Sequence, residues 1–208
     1  MIARLIPGWV YIRRFLFVST FLGVVIHEYA HKHMAEDFGC RVKEVCYFQF
    51  GDPAGYVVHE TPRTYTGMFA VSAAPFLLNT ATGYTAFLGS SLYVVYHGTE
   101  ALSTTEIVAI AICLWIGLSA ILHAFPSPQD TQNIWTSAKH QWEQTPLGIL
   151  GTPIFLIRHY RVVLSLPVIA LLIVLNKTRA FGSALVYSGL IAGWSYYTLE
   201  ILRPMIGI

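Results

Sequence analysis

Five apolar stretches, at about 15–34, 66–96, 105–125, 162–176 and 180–202, dominate this chain of 208 residues. A helix crosses the hydrocarbon core of a bilayer with about 20 mostly apolar residues. In water the stretches would need far more polar surface around them than the chain provides. Charged residues make up 12% of it, about half the roughly 25% of a soluble domain. The expected fold is therefore an all-α polytopic membrane protein with five spans. The fourth stretch is short and gains length by reaching back through Tyr160 and Arg161, the arginine snorkelling to the interface. If that stretch is re-entrant, four spans remain.

The joints between the stretches carry their own signals. Trp9 and Tyr11 suit a membrane interface ahead of the first span. Arg13 and Arg14 precede an apolar run in the manner of a signal peptide. That run continues into residues 27–31 rather than ending at a small-residue cleavage site, so it reads as a retained helix. Residues 35–64 are turn-rich, with β-favouring Val42, Val45 and Tyr47 before the turn signals Gly51, Asp52, Pro53 and Gly55. Tyr56, Val57 and Val58 follow, which predicts a small β-hairpin or two at the membrane face. Pro75 and Asn79 interrupt the second stretch. Pro126 and Pro128 are expected to stop regular helix after the third, leaving 131–152 as the longest polar stretch, with Trp135 and Trp142 as interface anchors. Lys177 and Arg179 cap the turn between the last two stretches.

Charge and cysteine content narrow the function. A net charge of +2 without a basic cluster argues against a nucleic-acid partner. Cys40, Cys46 and Cys113 match no zinc or redox spacing and read as free thiols, Cys40 with Cys46 being the one pairing to consider. With five spans, Lys32, Arg41, Lys43, Arg63, Lys139, Arg158, Arg161 and Arg203 share one side. Arg4, Arg13, Arg14, Lys177 and Arg179 share the other. The positive-inside rule then favours the face after the first span as cytosolic.

Within the first span lies His27-Glu28-Tyr29-Ala30-His31. An ionisable residue in a span costs about 2.5–3.5 kcal/mol on insertion scales, so such residues are functional by default. Four residues apart on a helix, His27 and His31 share one face and can reach one zinc ion. Glu28, rotated from that pair, can take a proton from a zinc-activated water and return it to a leaving amine. The bland alternative is a buried polar cluster joining neighbouring helices. Two histidines leave the site short of the three protein ligands that a catalytic zinc takes. Asp130, His123, His59, Glu60, Asp52 and Glu36 are the candidates. Asp130 is favoured because a carboxylate completes a common ligand set beyond a proline-rich break.

These residues resemble the site-2 protease family of intramembrane zinc metalloproteases. "HEYAHKHMAEDFGCRV" (27–42) is similar to the family's first block, with Ala35, Gly39 and Val42 at the expected spacing. "GDPAGYV" (51–57) resembles the turn and strand that follow. "AAPFLLN" (73–79) resembles the second-span Gly-Pro-x-x-Asn element, with alanine for the glycine, and "FPSPQD" (125–130) the third-span block ending in Pro-x-Asp. The resemblance covers about residues 20–135. It implies a catalytic membrane core over 1–135, built on three helices, and a linker with about two accessory transmembrane helices over 136–208. It further implies one zinc per chain on His27, His31 and Asp130, with Glu28 as general base. Peptide bonds of a transmembrane protein substrate would be hydrolysed in the lipid bilayer near the cytosolic face. Asn79 would lie near the substrate or oxyanion. The chain departs from the pattern at Thr131, where the family has glycine, and around Leu122 and His123, where its upstream asparagine is missing. His123 is a candidate hydrogen-bond donor to the transition state, or a helix-end residue bonding a carbonyl. Two further readings are a proteolytically silent zinc-binding chaperone or assembly factor, and a zinc hydrolase of a lipid-like substrate.

Overall fold

The computed structural model describes residues 15, 18–143, 153–178, 182–205 and 207, with the side chains of 153–158 and 177–178 left aside. The expectations for Arg4, Trp9, Tyr11, Arg13, Arg14 and Arg179, and for the side chains of Arg158 and Lys177, lie outside these residues. Among them the chain forms helices α1 (Phe21–Asp37), α2 (Tyr65–His97), α3 (Thr104–Leu122), α4 (Pro128–Glu143), α5 (Pro153–Thr178) and α6 (Ser183–Leu202). Strands β1 (Val42–Cys46) and β2 (Tyr56–His59) lie between α1 and α2.

Small residues bring α1, α2 and α3 together. The Gly23 amide donates to Ser119 Oγ at 2.8 Å, and that hydroxyl donates to the Thr20 carbonyl at 2.7 Å. A methyl group on Gly23 would overlap the main chain of Ser119, and one on Gly83 would overlap Ile121. Close backbone approach through glycine and serine is how helices pack without a hydrophobic driving force. Trp115 Nε1 donates to the Ser19 carbonyl at 2.8 Å, so α1 and α3 ascend together, 19 beside 115 and 23 beside 119. α2 descends between them, with His31 beside Val71 and Gly23 beside Asn79. Ser103 and Glu106 form a capping box that starts α3.

α6 docks on α2 through Thr80 Oγ1 and the Tyr187 hydroxyl (2.8 Å), then through the Tyr84 hydroxyl and Thr198 Oγ1 (2.8 Å). Both sequences of contacts rise together, so α6 runs parallel to α2. Five successive crossings would make α6 antiparallel to α2, and this corrects the five-span alternation. The chain leaves α3 and enters α6 at the same end of the bundle, and the α4–α5 pair begins and ends there.

The second correction is α4. Pro128 does not end regular structure; it occupies the first helical position, where its missing N–H is no loss and its fixed φ suits the helix. The polar stretch is therefore helical as far as Glu143, and the boundary at 135 falls inside α4. Its apolar side, Ile134 and Ala138, joins Tyr65 with Val162, Ile169 and Leu172 of α5 in a buried cluster. Two helices are long and apolar enough to cross a membrane, α3 and the His159–Asn176 part of α5.

One hairpin follows α1. Val42 pairs with His59, Val45 with Val57 and Cys46 with Tyr56, antiparallel, with an irregularity between Val42 and Glu44. Its connection folds back along α1, setting the Phe48 ring 5.5 Å from Phe21, which lies 6.0 Å from Trp115. All three cysteines are free.

Candidate metal centre

His27 and His31 project from α1 with ring centroids 4.9 Å apart. Each ring is oriented by a main-chain carbonyl. His27 Nδ1 donates to the His123 carbonyl at 2.9 Å, and His31 Nδ1 donates to the Val71 carbonyl at 2.9 Å. A carbonyl can only accept, so both Nδ1 atoms carry the proton and both Nε2 atoms are the ligating ones. Those two Nε2 atoms face Asp130, at 3.8 Å from Oδ2 for His27 and 3.3 Å from Oδ1 for His31. The three ligand atoms lie within 4.8 Å of one another.

Asp130 arrives by a local device. Ser127 is the N-cap of α4 and Asp130 its third residue. Ser127 N donates to Asp130 Oδ2 at 2.7 Å, while Asp130 N donates to Ser127 Oγ at 3.1 Å. This reciprocal pair is a capping box with aspartate in the usual glutamate position. It holds one carboxylate oxygen and leaves the other turned to His31. The helix N-terminus adds a favourable field for the negative charge.

His27, Glu28, His31 and Asp130 are only 8–9% exposed. Two neutral imidazole lone pairs and a carboxylate converging in such a place repel unless a proton or a cation sits among them. When a proton plays that part, burial by itself would raise the Asp130 carboxyl, but hydrogen bonds from His27 and His31 outweigh it. They hold the group well below the usual carboxylate range. The donor set also fits a metal. Ligands at about 2.0–2.2 Å around a tetrahedral ion lie roughly 3.3 Å apart, close to the His31–Asp130 separation. Two imidazoles and a carboxylate are a zinc set with a fourth position left over.

Glu28 points from the same turn of α1 towards the hairpin. A methyl group on Gly55 would come within 2.7 Å of Glu28 Cγ and 2.9 Å of the Tyr47 carbonyl. Glycine at 55 is what lets the hairpin close over Glu28.

The other sequence candidates fall elsewhere. His59 Nδ1 bonds the Glu60 carbonyl at 2.7 Å, Glu60 accepts from the Arg41 amide at 3.4 Å, and Glu36 pairs with Lys32 at 3.2 Å. Asp52 is exposed in the hairpin connection. None of these joins the His27–His31–Asp130 group. Asn79 is completely buried and donates its amide to the His123 carbonyl at 3.0 Å and the Gly23 carbonyl at 3.4 Å. It shares the carbonyl that orients His27. The His123 ring bonds Thr20 Oγ1 at 3.0 Å, and its contribution to the centre is that carbonyl.

Three contributors escaped sequence reasoning. Ser127 had a readable signal, a serine three residues before Asp130 with a proline after it. The Val71 and His123 carbonyls had none, because a main-chain oxygen carries no sequence identity. The chain matches no family model, no curated protein and no solved structure.

Proposed function

We propose that this chain is a multi-pass intramembrane zinc metalloprotease. The observation that carries the reading is the aim of both Nε2 atoms and the Asp130 carboxylate at one buried point beside Glu28. The sequence blocks that resemble the site-2 protease family point the same way.

The membrane part of the proposal rests on exposed apolar helices. The stretches of α3 and α5 that are long and apolar enough to cross are each 22% buried within the protein, where the core helix of a soluble protein is mostly covered. Ile107, Val108 and Ile112 on α3 and Leu171 and Val174 on α5 face outward. In this reading α1, α2, α3 and α6 cross the bilayer, and α5 enters and leaves from the side of the metal centre. That side carries Lys32, Arg41, Lys43, Arg63, Lys139 and Arg161, which makes it the cytosolic one.

Bound zinc would supply Lewis-acid polarisation of a water molecule and of the scissile carbonyl. His27, His31 and Asp130 hold it there. Glu28 takes a proton from the attacking water as its oxygen bonds to the carbonyl carbon, then delivers that proton to the amide nitrogen as the C–N bond breaks. The hairpin's outer strand edge offers main-chain groups to an extended substrate segment, which must leave helical form for its amide to be reached.

The test is zinc content and cleavage of a transmembrane peptide by detergent-purified protein. Expected are about one zinc per chain, lost in His27→Ala and Asp130→Ala, and zinc retained without cleavage in Glu28→Gln. No zinc in the wild type after supplementation would overturn the reading. Zinc with no cleavage of any membrane peptide would select the silent chaperone, and cleavage of lipid alone the lipid hydrolase.

A further inference from the structure

Thr131 stands beside the third ligand, and its side chain is used twice. Its hydroxyl donates to the Ser127 carbonyl at 3.2 Å, the same carbonyl that receives the Thr131 amide at 3.1 Å. It accepts from Asn176 Nδ2 at 2.6 Å. Asn176 lies near the end of α5, 45 residues along the chain. An unbroken series of hydrogen bonds thus runs from α5 through Asn176, Thr131 and Ser127 to Asp130 Oδ2.

The rest of α5 is arranged to bring Asn176 there. Val162, Ile169 and Leu172 pack on Ile134 and Ala138 of α4. Ser165 bonds the Tyr65 hydroxyl, and Arg161 Nη1 donates to Thr66 Oγ1 at 3.2 Å, tying α5 to the start of α2. The first turn of α4 is therefore fixed from two sides, by its own capping box and by an amide from a helix outside the three-helix core.

We infer that Asn176 is a positioning residue for the metal centre, holding the Asp130 turn in the ligating position through Thr131. This rests on the zinc reading above. An asparagine directed at a threonine hydroxyl would have no partner were residue 131 glycine. The inference accordingly explains why this chain has threonine at that place.

The experiment measures zinc affinity by chelator competition on the full-length protein in detergent. Asn176→Leu and Thr131→Val each remove one end of the bond at nearly constant size, and Thr131→Ser keeps the hydroxyl. Expected is about tenfold weaker zinc binding in the first two, at the lower end of outer-shell effects, with no further loss in the double variant. Thr131→Ser should restore near wild-type affinity. Thermal unfolding of the zinc-free variants separates the two roles, since a purely structural residue would lower stability without moving the affinity of the folded chain. Affinities within twofold of wild type, or strictly additive losses, would overturn the inference while leaving the metal centre intact. Absence of zinc from the wild type would overturn both readings.

Discussion

His27 and His31 reach the centre as neutral donors because each spends its Nδ1 proton on a main-chain carbonyl. Acidification therefore sets protons against the metal at two nitrogen atoms. Asp130 adds no third competitor near neutral pH, because the imidazole hydrogen bonds overcome its burial and keep it ionised far into acid. Zinc affinity should fall with pH by up to about a hundredfold per unit, the slope of two protons taken up per metal released. Competition titrations between pH 7 and pH 5 measure it, and a slope of three would put a third titrating group in the ligand set. At this scale the sequence was informative where side-chain type carries the chemistry. His-Glu-x-x-His and the aspartate beyond the prolines could be picked out. The carbonyls that orient the rings could not, because any residue supplies one. Asn79 was readable as a buried polar group in a helix, but its partners depend on where α1 and α3 pass, which a single stretch does not encode.

Among the elements, the hairpin and α4 contrast in how they were read. The hairpin announces itself by β-branched runs on either side of Gly51, Asp52, Pro53 and Gly55. For α4 the same prolines that signal an end also signal a start, since proline is favoured at the first helical position. The Ser127–Asp130 box decides between them, and it becomes legible only when serine, proline and aspartate are read together. The hairpin's place over Glu28 depends on one glycine. In Gly55→Val the added side chain meets the Tyr47 carbonyl as well as Glu28, so the hairpin connection must move away from α1. The ligands all lie on other elements. The expected outcome is zinc retained at the wild-type level with cleavage reduced by at least about tenfold, from loss of substrate and base positioning. Equal loss of zinc and cleavage would mean that the hairpin supports the ligand geometry itself.

For the whole molecule, the direction of α6 is the decisive observation. Each of the five apolar stretches lies largely within a helix, α1, α2, α3, α5 or α6, so the elements were legible from hydropathy alone. Their alternation was not, because hydropathy counts apolar length and is blind to helix direction. Direction comes from the pairing of Thr80 with Tyr187 and Tyr84 with Thr198, two contacts between residues more than a hundred positions apart. If α1, α2, α3 and α6 are the crossing helices, the connection around Glu100 and the far end of α6 around Glu200 share one side. Glu44 in the hairpin and Lys139 in α4 share the other. All four are exposed. Single cysteines at these positions, in a background with Cys40, Cys46 and Cys113 replaced by serine, can be labelled in sealed vesicles with an impermeant maleimide. Glu100→Cys and Glu200→Cys should react from one side, and Glu44→Cys and Lys139→Cys from the other. Five crossings would instead move Glu200→Cys to the side of Lys139→Cys. That result would require α5 to traverse the bilayer and would break the parallel pairing of α2 with α6. It would also pull Asn176 away from Thr131, so one labelling pattern tests both the membrane arrangement and the support given to Asp130 by α5.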